Sequence, residues 1–237
     1  MVFGPFRRVI YLFKLNFCMI KACLFDMDGV IVDTAGYHFK AWARLADSLS
    51  IPFTEQENEQ LKGVSRVDSL ERILAWGHLH LNNEKKIQLM ELKNKWYLEY
   101  VEKVDANEML PGAHDFLKEL KQHNIKIGLG SSSKNSMMIL GKLGILPLFD
   151  CVIDGTKVLM SKPNPEVFLS GAKELGIYPS EIIVFEDALS GVKAAVDGGF
   201  RCVGIGDPSI LVKAHSVVPS LANYTVSKML SDFSESL

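Results

Sequence analysis

The chain is predicted to be an α/β protein, a doubly wound parallel sheet with an inserted α-helical domain, and three observations predict it. Short apolar runs recur at 20–25, 125–130, 151–153, 182–185 and 202–205. Between the later runs, apolar residues repeat at three-and-four spacing. After the first run, from about Thr34 to Val104, helical patterns continue without a convincing strand. Strand alternating with helix is the signature of a sheet covered on both faces.

The first run, Ile20 to Phe25, is short, apolar and stops at Asp26, as a central strand of a parallel sheet does. In the interrupted stretch, Phe39, Trp42, Ala43 and Ala46 form one apolar stripe, and Val67, Leu70, Ile73 and Leu74 another. Thr54 followed by Glu57 reads as a capping box. A longer charged helix is expected from Asn83 to Tyr100. The chain re-enters the sheet near Leu110-Pro111-Gly112. Helices then follow at Ala113, Phe116, Leu117 and Leu120, at Phe168, Leu169, Ala172 and Leu175, and at Val192, Ala195 and Val196. The expected division is 19–34 with 104–237 for the sheet domain and 35–103 for the helical one.

Composition narrows the class. With 237 residues, 48% hydrophobic and 23% charged, the chain is long enough for one sizeable core or two unequal ones. Cys18, Cys23, Cys151 and Cys202 form no close pair and read as reduced packing residues of a cytoplasmic protein. A formal net charge of -2 argues against a polyanion-binding surface, so no nucleic-acid partner is expected. Residues 1–18 carry Arg7, Arg8 and Lys14 around an apolar run from Val9 to Phe13. That run is too short for a membrane span of about 20 residues or for a signal peptide. Met19 is the expected natural start, in a monomer without a membrane partner.

In an open parallel sheet, ligands bind beyond the carboxyl ends of the strands. Polar residues fill those places here: Asp26 and Asp28, then Ser131, Ser132, Ser133 and Lys134, then Glu186 and Asp187, with Lys162 on the preceding loop. An isolated Asp after a strand is ordinarily a turn or capping residue, and a lone Lys is ordinarily solvated. Several carboxylates, a hydroxyl and an amine together call for a bound cation and a bound anion. Mg²⁺ typically takes one or two carboxylates with water and phosphate oxygens, while Ser131 and Lys162 suit a small phosphate.

Asp26-Met27-Asp28-Gly29-Val30-Ile31-Val32-Asp33-Thr34, the Ser after the second strand, Lys162-Pro163 and Glu186-Asp187 resemble the four signature motifs of the haloacid dehalogenase superfamily. They run in the right order over nearly the whole chain. The resemblance implies phosphoryl transfer through an aspartyl-phosphate. By matching positions Asp26 is the nucleophile, Asp28 the general acid and base, and Ser131 and Lys162 hold the phosphate. Asp26, the Asp28 carbonyl, Glu186 and Asp187 surround Mg²⁺.

Leu61-Lys62-Gly63-Val64-Ser65-Arg66-Val67-Asp68-Ser69-Leu70, with His38 and Trp42 before it, is similar to the cap of the β-phosphoglucomutase family. Ser131-Ser132-Ser133-Lys134-Asn135 is also similar to that family, where a simple phosphatase would need only the first Ser. Gly36 departs from it, standing where the pattern has a carboxylate. This resemblance implies a sugar-phosphate substrate, with β-glucose 1-phosphate and glucose 6-phosphate interconverted through β-glucose 1,6-bisphosphate, which serves as activator and intermediate. Arg66 would grip the distal phosphate with help from Ser133 and Asn135. Lys62, Gly63, Ser65, His38 and Trp42 complete the expected binding set, and Thr34 sits at the expected hinge. The alternatives are a hexose-phosphate phosphatase with the same nucleophile and a phospho-accepting signalling domain, against which the large cap counts.

Overall fold

Every predicted apolar run becomes a strand. The computed structural model describes residues 20–234, so the expectations for residues 1–18, for Cys18 and for a start at Met19 lie outside the described residues. The strands are β1 (Ala22–Phe25), β2 (Lys126–Gly130), β3 (Cys151–Ile153), β4 (Ile182–Glu186), β5 (Arg201–Ile205) and β6 (Ser216–Val218). All pair in parallel, in the order β3-β2-β1-β4-β5-β6. The direction of winding reverses at β1, which lies between β2 and β4, and such a switch point is where an open sheet leaves a crevice. β6 has no signal in the sequence, because three half-buried residues at a sheet edge make no apolar run. Glu186 is the last residue of β4 rather than the first after it.

Burial on both faces explains why β1 reads as a continuous apolar run. Cys23 and Phe25 join Phe116, Leu117 and Leu120 of α5 (Ala113–Gln122) and Met229 of α9 (Val226–Asp232). Ala22 and Leu24 face the other way, towards Phe168 and Ala172 of α7 (Glu166–Leu175) and Val192 and Ala195 of α8 (Leu189–Asp197). Phe25 stacks on Phe185 of the neighbouring strand with centroids 4.7 Å apart. Cys23, Cys151 and Cys202 are buried free thiols.

The insert contains α1 (Ala35–Ser48), α2 (Glu55–Glu59), α3 (Arg66–Trp76) and α4 (Asn83–Val101). Its helices enclose a separate apolar cluster that includes Trp42, Leu45, Ala46, Leu70, Ile73, Leu74 and Leu89. The capping box forms: Thr54 Oγ1 accepts from the Gln56 N–H at 3.2 Å and the Thr54 N–H donates to Glu57 at 2.9 Å. Two stripe residues face outward instead, Val67 at 48% and Leu169 at 41% exposure. In α4 the buried residues are Leu89, Lys93, Tyr97 and Val101, a one-per-turn stripe with a lysine inside it. α6 (Ser136–Lys142) follows the serine loop after β2. Among the described residues no helix is long and apolar enough to cross a membrane.

A single carboxylate fastens the entry to β2. Asp150 accepts from the Ile127 N–H at 2.8 Å, from Lys121 at 2.8 Å and from Lys126 at 3.2 Å. Burial alone would raise its pKa, but these three donors outweigh burial and hold it below the ordinary value. A depressed folded-state pKa gives stability that is present above the unfolded value and is lost as pH falls through the folded one. Asp150 is exposed, so solvent screens these contacts and Asp150→Asn is expected to cost only about 0.5–1 kcal/mol at neutral pH. In urea titrations the difference from wild type should shrink progressively below about pH 4.

Candidate active site

The carboxyl ends of β1, β2 and β4 bring the signature residues together. The Asp26 N–H donates to the Phe185 carbonyl at 2.9 Å, and the Ser131 N–H to the Ile153 carbonyl at 2.9 Å, so both sites continue the sheet ladder and inherit its rigidity. Beyond Asp26 the chain turns through Gly29, with φ of 81°. A Cβ there would lie 2.1 Å from Asp187 Oδ2, so only glycine lets the loop pass the β4 acids.

Lys162 is 1% exposed and reaches both Asp26 Oδ1 at 2.5 Å and Glu186 Oε1 at 2.6 Å. Burial alone would lower its pKa, but the two carboxylates reverse that and keep it protonated. Glu186 Oε2 accepts from the Ala188 N–H at 3.0 Å, which fixes the remaining carboxylate oxygen. The Ser133 N–H donates to Ser131 Oγ at 3.1 Å and turns the loop over the site.

Asp28 has a different environment from Asp26. Burial, and next the neighbouring charge of Asp26, push its pKa up to about 8. The buried Thr34 hydroxyl donates to Asp28 Oδ1. His38 Nε2 lies 4.0 Å from Asp28 Oδ2 and, although buried, makes no hydrogen bond. Its Nδ1 sits 2.9 Å from Lys93 Nζ. Burial, Lys93 and Arg66 all keep His38 neutral. Lys93 itself lies 4.6 Å from the Trp42 ring and 4.8 Å from the Tyr97 ring.

Asp26, Asp28, Asp187 and Ser131 line one end of a single cavity. His38, Trp42, Lys62, Gly63 and Arg66 line it from the insert, together with Lys93 and Ser69, and Ser133 closes the side. Lys162 and Glu186 stand behind Asp26, and Thr34 behind Asp28. Asn135 does not reach the cavity wall but bonds to Asn94, which in turn holds Arg66. Ser65 is a helix cap: its hydroxyl accepts from the Asp68 N–H at 3.1 Å and donates to Asp68 Oδ2 at 2.7 Å. It does not line this cavity.

Besides the Asn135–Asn94 contact and a bond from Lys142 Nζ to the Glu102 carbonyl at 3.0 Å, the insert meets the sheet through hydroxyls. Ser132 Oγ donates to the Gly63 carbonyl at 2.8 Å and Ser190 Oγ to the Lys62 carbonyl at 3.0 Å. Ser161 donates to Asp68. Gly63 has φ of 70°, and a Cβ on it would fall 2.5 Å from Ser190 Oγ, so the close approach also depends on glycine. The Lys62 side chain pairs with Glu59 at 2.9 Å.

Asp26, Glu186 and Asp187 each offer an oxygen within 4.8 Å of the others. Asp187 accepts no hydrogen bond among the described residues, and burial, then Glu186 and Asp26, raise its pKa well above the ordinary value. Lys162 is the buried ammonium that faces this trio. An all-oxygen, carboxylate-rich set whose burial and mutual repulsion raise the Asp187 pKa fits a hard divalent cation.

Comparison with known proteins agrees with this arrangement. Residues 20–199 match the profile of the haloacid dehalogenase-like hydrolases. The chain is 41% identical over 209 residues to a β-phosphoglucomutase of Bacillus subtilis, covering 87% of this chain and 92% of that one. It is 30% identical over 207 residues to a phosphorylated carbohydrates phosphatase of Thermotoga maritima, covering 84% and 93%. A crystal structure of β-phosphoglucomutase from Clostridium difficile superposes with a TM-score of 0.89 at 40% identity, over 92% of this chain and 98% of that one.

Proposed function

We propose that this chain, which belongs to the haloacid dehalogenase-like hydrolase family, is a sugar-phosphate mutase that interconverts β-D-glucose 1-phosphate and glucose 6-phosphate. The observation that carries this reading is that the cavity is lined from both parts, with a second cationic group, Arg66, on the insert. The sheet part lines it with Asp26, Asp28, Asp187 and Ser131, and the insert adds the half-buried Arg66 with Lys62 and Lys93. A phosphatase needs one phosphate grip, whereas a mutase must hold a phosphate at each end of the sugar at once.

In the proposed cycle residues 35–103 act as a cap that closes on the sheet domain formed by 19–34 and 104–237. Asp26 carries the phosphoryl group as an acyl phosphate. The 6-hydroxyl of β-glucose 1-phosphate attacks phosphorus, the bond to the Asp26 oxygen breaks, and Asp28 takes the hydroxyl proton. The resulting β-glucose 1,6-bisphosphate turns round. Asp26 then attacks the phosphorus of the 1-phosphate, Asp28 returns its proton to the departing sugar oxygen, and glucose 6-phosphate leaves. A pKa near 8 lets Asp28 perform both transfers near neutral pH.

Lys162 and Ser131 hold the transferring group in line with Asp26. Asp26, the Asp28 carbonyl, Glu186 and Asp187 would hold Mg²⁺, which when bound draws charge from the phosphoryl oxygens. Contacts at His38, Lys62 and Thr34, where the insert joins and meets the sheet part, couple closure to a filled site, and closure keeps water from the acyl phosphate. On this reading the protein is a cytoplasmic monomer whose partner is a small sugar phosphate.

The test is to supply β-glucose 1-phosphate, Mg²⁺ and a trace of β-glucose 1,6-bisphosphate, and to follow glucose 6-phosphate against free phosphate. Glucose 6-phosphate accumulating with little free phosphate is the expected result. Free phosphate released in step with substrate loss would instead assign a phosphatase.

A further inference from the structure

Asn94 has no part in the motifs, yet it sits where the two halves of the distal phosphate grip meet. It lies on α4, half-buried, next to Lys93. Its Oδ1 accepts from Arg66 Nη2 at 2.7 Å and from Asn135 Nδ2 at 3.1 Å. Two donors on one atom identify that atom as the amide oxygen, and they fill its two lone pairs. Arg66 belongs to the insert and opens α3, whereas Asn135 precedes α6 and its N–H donates to Ser133 Oγ at 3.2 Å. Asn94 therefore joins the cap cation to the serine loop of the sheet.

The neutrality of this acceptor matters as much as its position. Among the described residues no carboxylate forms an ion pair with Arg66. A carboxylate could orient a guanidinium equally well, but it would cancel the charge and repel a phosphate. An amide oxygen holds one N–H of the guanidinium and leaves its other donors and its full charge for an anion.

We propose that Asn94 is a positioning residue for Arg66: it aims the guanidinium at the distal phosphate without neutralising it, and through Asn135 it makes that aim depend on the cap meeting the serine loop. This rests on the mutase reading given above. When the cap is open, Asn135 is withdrawn and Asn94 holds Arg66 alone. When it closes, both donors converge on one oxygen and the cation is fixed before the sugar is committed to transfer.

Asn94→Asp and Asn94→Ala test this, with Arg66→Ala as the control. The Asp variant is nearly isosteric and keeps both donors paired, so it folds if any variant does, and the melting temperatures of all three are compared with wild type. The KM for β-glucose 1-phosphate is expected to rise about tenfold in Asn94→Ala, the scale of one hydrogen bond to a charged group. It should rise further, to about a hundredfold, in Asn94→Asp, because charge is cancelled as well. Phosphorylation of Asp26 by acetyl phosphate, which has no distal phosphate, should stay within about twofold of wild type in both. Packing loss alone would make Asn94→Ala the worse variant and would lower both reactions together, and that result overturns the proposal. Unchanged KM in both Asn94 variants beside a raised KM in Arg66→Ala also overturns it while leaving the mutase reading in place. Unchanged KM in Arg66→Ala as well removes the mutase reading beneath it.

Discussion

Asp26→Asn is expected to abolish turnover of β-glucose 1-phosphate while leaving the fold intact. An amide cannot form the acyl phosphate, so no route remains through a covalent enzyme. Loss of a nucleophile of this kind lowers kcat on the order of 10⁴-fold or more. The fold should survive because the substitution is nearly isosteric and because Lys162, buried at 1% exposure, keeps Glu186 at 2.6 Å as a counter-ion. Removing both acids would orphan a buried ammonium, which costs far more than removing one. The check has two parts: a wild-type thermal unfolding profile, and no phosphoprotein after incubation with acetyl phosphate and Mg²⁺. Wild-type turnover in the variant would sink the covalent mechanism.

Arg66→Ala is expected to separate the two reactions of the site. Conversion of β-glucose 1-phosphate should fall on the order of 10²–10⁴-fold, the loss of two hydrogen bonds to a charged group at about 1.5–3 kcal/mol each. Phosphorylation of Asp26 by acetyl phosphate should be spared, because that donor occupies only the sheet end of the cavity. The sugar phosphate needs its far end anchored for its 6-hydroxyl to lie in line with the acyl phosphate. Equal loss of both activities would point to damage to the cap, and no loss of either would return the phosphatase reading to first place.

Much of this arrangement is legible in the sequence because buried parallel strands and the polar residues that end them are local signals. Ala22 to Phe25 read as a strand since both faces of the sheet are covered. Asp26, Ser131 and Glu186 are legible as a set because each stands where its strand stops. Lys93 and Asn94 are not. α4 carries charges on most of its surface, and the apolar stripe of Leu89, Tyr97 and Val101 emerges only if a lysine is admitted to it. Burial holds the Lys93 pKa well below its ordinary value, two aromatic rings and the His38 ring surround its amine, and none of these partners is a sequence neighbour of Lys93 except Tyr97. Ser65 shows the opposite difficulty. A serine three residues before Asp68 is a helix-capping pattern, but within a family-like loop it reads as a ligand-binding residue. β6 stayed hidden because an edge strand of three residues has no periodicity to detect.

The contacts that hold the helical insert against the sheet have a consequence for how the protein responds to ionic strength. They run from Ser132 to a carbonyl, from Ser190 to a carbonyl, from Ser161 to Asp68 and from Asn135 to Asn94. Charge also acts across the boundary: Lys142 Nζ donates to the Glu102 carbonyl at 3.0 Å, Lys93 acts on Asp28, and Lys62 on Asp187. Hydrogen bonds at this range are indifferent to dissolved salt, whereas attraction between an exposed ion and a half-buried cation is screened over about 8–10 Å. On the proposed reading, salt is expected to screen the arrival of the anionic sugar at Arg66 more than it loosens the neutral hydrogen bonds that hold the insert.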